Sequence, residues 1–72
     1  MTDTQLLKQA IESSGVTITF IADSLGCTRN RIYAIMDGTG GEVTTSEVVG
    51  ISKCLHLTRS QRDKIFLTEK VN

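Results

Sequence analysis

The run Ile18-Thr19-Phe20-Ile21-Ala22-Asp23-Ser24-Leu25-Gly26-Cys27-Thr28-Arg29-Asn30-Arg31-Ile32-Tyr33-Ala34-Ile35-Met36-Asp37 spaces its small and apolar residues as two short helices crossing at a tight turn. Ile21 and Leu25 lie one helical turn apart and face inward, while Ala22 is small enough to let a second helix cross closely. Gly26 ends the first helix, because the residue just past a helix C-terminus commonly needs a positive φ that glycine adopts without a Cβ clash. Thr28 then caps a new helix, its hydroxyl accepting from a backbone N–H of the first turn. Ile32, Ile35 and Met36 give that helix an apolar stripe at i, i+3 and i+4, which leaves Arg29, Asn30, Tyr33 and Ala34 toward the outer side.

Outward from this pair the helical signals continue. Leu6, Leu7, Ala10 and Ile11 form an amphipathic pattern between the capping candidates Thr2, Asp3 and Thr4 and a closing Gly15. Thr17 caps the second helix, with Val16 ahead of it as a hydrophobic staple. Beyond Asp37-Gly38 the segment Thr39 to Thr45 has no helical period and reads as a loop around Gly40 and Gly41. Thr44 with Glu47 makes a capping box ahead of Val48, Val49, Ile51, Cys54 and Leu55. Thr58 with Gln61 repeats that spacing and starts a last helix, predicted over Arg59–Glu69, with Ile65, Phe66 and Leu67 clustered near its end and Val71 beyond. The fold expected is all-α, a compact bundle of about five short helices in one domain over 1–72.

Composition narrows the chemistry. A hydrophobic fraction of 39% with two Phe, one Tyr and no Trp implies an aliphatic core. Eight Lys+Arg balance eight Asp+Glu, so bulk charge does not drive nucleic-acid binding, and local distribution decides instead. From Gly26 to Met36 there are two arginines and no acid. Cys27 and Cys54 are far apart, with no Cys-x-x-Cys spacing and His56 as the sole imidazole, so both read as buried small hydrophobes rather than metal ligands or redox partners. His56 itself reads as a helix C-terminal cap. Ser13, Ser14 and Ser24 have no neighbouring base, and Gly38-Thr39-Gly40-Gly41 lacks the preceding strand and following Lys of a phosphate loop. A non-enzyme without cofactor, metal or small-molecule substrate is expected. With no apolar run of membrane-spanning length and no signal segment, the expectation is no membrane association and a cytoplasmic location.

Gly15-Val16-Thr17, Ile21-Ala22, Leu25-Gly26, Thr28, the Ile32 and Ile35 pair and Asp37-Gly38 together resemble the DNA-binding domain of phage Cro and CI-type repressors and the wider xenobiotic-response-element regulators. The resemblance covers about four fifths of the chain. It implies a lambda-repressor-like helix-turn-helix domain whose third helix enters the major groove of operator DNA. By that carry-over Thr28, Arg29, Asn30, Tyr33 and Ala34 meet bases or flanking phosphates, Arg29 suiting guanine, Asn30 adenine and Ala34 a thymine methyl. Arg31 and Thr17 suit phosphates. Two half-sites imply a homodimer, with Phe66, Leu67 and Val71 as its contact surface.

The chain departs from the family at the start of the second helix. Ile18 stands where a phosphate-binding glutamine is common, and Phe20 where a charged residue is usual. Those two side chains support a second reading, a repressor modulator or antirepressor of the same fold that binds a partner repressor and masks its DNA-reading surface, with Ile18 and Phe20 as apolar anchors. The structural alternative folds Phe20 back onto the first helix.

Overall fold

The computed structural model describes residues 2–67. Five helices follow one another, α1 (Thr4–Ser14), α2 (Ile18–Leu25), α3 (Arg29–Asp37), α4 (Thr45–Leu55) and α5 (Arg59–Phe66). The all-α bundle expected from the sequence is the fold observed.

Local chemistry sets the helix limits. Of the three capping candidates before α1, Asp3 is the one used, its Oδ1 accepting from Leu6 N at 3.0 Å. Thr17 accepts from Phe20 N and Thr28 from Arg31 N, each at 3.1 Å, so α2 and α3 begin where hydroxyls satisfy orphan amides. Both capping boxes form, Thr44 with Glu47 and Thr58 with Gln61. Gly26 has φ 72° and turns the chain between α2 and α3 within the three residues Gly26, Cys27 and Thr28. His56 takes the corresponding left-handed position after α4 at φ 55°.

The core is one aliphatic cluster of Leu7, Ile11, Ile21, Ala22, Ile32, Ile35, Ile51, Leu55 and Ile65, closed by the ring of Phe66. α2 packs against α3 and α4, while α1 lies across α3, α4 and α5. Cys27 and Cys54 are free and half-buried against this cluster. The amide of Asp3 donates to the carbonyl of Ile65 at 2.6 Å, tying the start of α1 to the end of α5. No described helix is long and apolar enough to cross a membrane.

Two expectations fail at the last helix. α5 stops at Phe66, because Leu67 turns into the left-handed region at φ 48°, three residues before the predicted end. Phe66 is not surface either. It is 3% exposed and packs into the core, since docking α5 on α1 turns the adjacent Ile65 and Phe66 inward together. Leu67 is exposed, and Glu69 and Val71 lie outside the described residues.

Candidate nucleic-acid interface

α3 is held from behind by Ile32 and Ile35, both buried, so its opposite face is fixed by the core. On that face Arg29, Asn30 and Tyr33 are exposed, Tyr33 at 49%. The acid of α3, Asp37, falls at its far end, 4.0 Å from Lys8 of α1 in a solvent-exposed pair. Thr28 and Thr17, both exposed, mark the N-termini of α3 and α2, where the helix dipole and free amides favour an anion. Five of the residues expected from the sequence, Thr17, Thr28, Arg29, Asn30 and Tyr33, are thus surface groups on α3 or at the start of α2 or α3.

Arg31 is engaged by other parts of the chain. Its Nε donates to Glu47 Oε2 at 2.7 Å and its Nη2 to Glu47 Oε1 at 2.8 Å, a bidentate pair between α3 and α4. Nη1 donates to the carbonyl of Gly40 at 2.7 Å and Nη2 to that of Glu42 at 3.2 Å. All three guanidinium nitrogens are thereby engaged by α4 or by the loop that precedes it. The hydrogen bond from Arg31 holds the Glu47 carboxyl well below the usual range, at about 2, against the opposing effect of its partial burial.

Ala34 also leaves the expected outer face. It is half-buried beneath the loop, its carbonyl accepting from Thr39 N at 3.0 Å and Gly40 N at 3.2 Å. For Ala34 the cause is the loop, which folds back over the C-terminal half of α3; for Arg31 it is Glu47 of α4 together with the loop carbonyls, and no helical period reveals either.

On α2, Phe20 is 54% exposed and is not part of the core. Ile18 is half-buried and packs against the core, so it is a partial support for α2 rather than an open anchor. The four residues expected in protein contacts therefore separate, with Phe20 and Leu67 exposed, Ile18 half-buried and Phe66 buried.

No family model, curated protein or solved structure matches this chain.

Proposed function

We propose that this chain is a small DNA-binding transcriptional regulator that places α3 in the major groove of an operator. One observation carries the reading. The first turns of α3 present Arg29, Asn30 and Tyr33 outward from a helix whose back is buried, with Asp37 the sole acid on that helix. Arg29 suits a bidentate contact to guanine and Asn30 one to adenine, each worth about 1–3 kcal/mol of discrimination. Thr28 and Thr17, at helix N-termini, suit phosphates that fix register. Reading two half-sites as a dimer requires a contact surface other than Phe66, which the core occupies.

The test is selection of duplexes from a randomised library followed by binding titration of the winners. A selected sequence bound at least a thousandfold more tightly than random duplex supports the reading. Arg29→Ala should then relax the preference at one base position. Equal binding of selected and random duplex by the unsubstituted chain would overturn sequence-specific recognition.

A second reading has its own observation. Phe20 stands open on α2, and the pairing of Arg31 with Glu47 removes one of the two positive charges near α3, which favours a modulator that covers the basic reading helix of a partner repressor. Phe20→Asp discriminates the two, since it changes an exposed side chain. Loss of repressor capture with unaltered folding supports the modulator, and unchanged repressor–operator binding at saturating amounts of this chain excludes it.

A further inference from the structure

We propose that Arg31 and Glu47 are a positioning pair that sets the pose of the reading helix, and that Arg31 makes no contact with DNA. The inference rests on the reading of α3 as the DNA-facing element and names what holds that element in register.

The geometry is unusually complete for a surface arginine. Each of the three guanidinium nitrogens has a partner within 3.2 Å, and of their four hydrogen bonds two go to one carboxylate and two to loop carbonyls. Glu47 Oε1 also accepts from the amide of Thr44 at 2.9 Å, the return half of the α4 capping box. One carboxylate therefore ends the reach of α3 and starts α4. The carbonyls of Gly40 and Glu42 fasten the loop between them.

The loop is shaped around the arginine. A Cβ at position 40 would lie 2.7 Å from Arg31 Nη1, 3.2 Å from Ala34 Cβ and 3.3 Å from the Ala34 carbonyl carbon, so a side chain there would push the guanidinium aside and crowd Ala34. Arg31 shares the first turns of α3 with Arg29 and Asn30, so the tether on its guanidinium adds to the hold that the buried Ile32 and Ile35 give their helix. Long flexible side chains hold a groove-reading pose only when their helix is held first.

Phosphate contact and positioning give opposite signs for one substitution. Glu47→Gln keeps an N3 residue able to close the capping box but removes the charge that detains Arg31. A phosphate-binding Arg31 would be released by that change and DNA affinity would rise. A positioning Arg31 would lose its anchor and affinity would fall. Arg31→Lys divides the readings again, because lysine retains a charge for phosphate but cannot fork onto a carboxylate.

The experiment uses the full chain and the selected duplex, with random duplex of equal length as control, over a series of salt concentrations. Arg31→Met, Arg31→Lys and Glu47→Gln are each expected to weaken the selected duplex about tenfold, and the double variant Arg31→Met with Glu47→Gln no further. Random-duplex affinity and the salt slope stay unchanged. In the chain without DNA, the amides of Gly40 to Val43 exchange faster in all three single variants. Tighter binding by Glu47→Gln, or a salt slope lowered by about one in Arg31→Met, would overturn the proposal. Unchanged loop exchange in the variants would overturn the pair itself, whereas failure of the unsubstituted chain to bind any duplex would overturn the DNA reading beneath it.

Discussion

Gly50 of α4 meets Leu25 of α2 so closely that a Cβ at position 50 would lie 2.8 Å from Leu25 Cδ1 and 2.9 Å from Cγ. The α2–α4 contact that backs the turn into α3 is thus set by the absence of one carbon. Gly50→Ala gains about 1 kcal/mol of helix propensity and meets overpacking of about 1–3 kcal/mol, so net destabilisation is expected. Thermal unfolding checks it. Combining Gly50→Ala with Leu25→Ala should cost less than the sum of the two, because the second change opens the space that the first one fills.

Gly26→Val should destabilise the chain by more than about 1 kcal/mol. Nothing lies within 4 Å of a Cβ built there, so the cost is conformational, from a φ of 72° that a β-branched residue resists. Gly26→Ala should cost less than Val, and equal unfolding midpoints for wild type and Val would show that the turn adopts another conformation.

Thr28→Ala should cost about 1 kcal/mol through the lost hydrogen bond to Arg31 N. Thr28→Ser retains the hydroxyl and should recover most of it. Amide exchange at Arg31 reports the site directly, rising in the Ala variant and staying low in Ser.

Glu47 makes stability depend on acid. Its carboxyl titrates at about 2 in the fold against an ordinary 4.5, so over that interval the unfolded chain binds more protons than the folded one. The stabilisation is complete above pH 4.5 and drains away as the pH falls toward 2. In unfolding titrations the gap between wild type and Glu47→Gln should therefore be widest near neutral pH and narrow below the ordinary value. A gap constant from pH 6 to pH 2.5 would contradict the pairing.

Phe66→Asp should unfold the domain rather than dissociate a dimer. A ring that is 3% exposed would be replaced by a charge without a partner, at a cost of about 3–5 kcal/mol, a large share of what so small a domain has. Circular dichroism at a single protein concentration checks it, with a folded, helical variant as the contrary result.

Caps and turns were legible in the sequence because each is written within four residues. Thr17, Thr28, the pairs Thr44 with Glu47 and Thr58 with Gln61, and Gly26 all act as their local spacing implies. The inward stripe of α3 was legible too, as Ile32 and Ile35 repeat at the helical period. Phe66 was not, since Ile65 and Phe66 are adjacent and only the docking of α5 on α1 decides that both face inward. Nor was Arg31, whose carboxylate partner comes sixteen residues later and whose Nη1 lies against the glycine at position 40. Exposed and engaged arginines look alike in sequence. The outer groups Arg29, Asn30 and Tyr33 were found by subtraction from the apolar stripe, a rule that works for the open N-terminal half of α3 and fails at Ala34, where the loop returns.

The bond from the Asp3 amide to the Ile65 carbonyl makes the bundle a closed circuit rather than a row of helices. Such a clasp forms between segments at opposite ends of the described chain, and bringing them together carries the loop-closure entropy of nearly the whole described length. Peeling α5 away strips the first turn of α1 of its anchor, and fraying α1 does the same to α5. The two outermost helices therefore fail together.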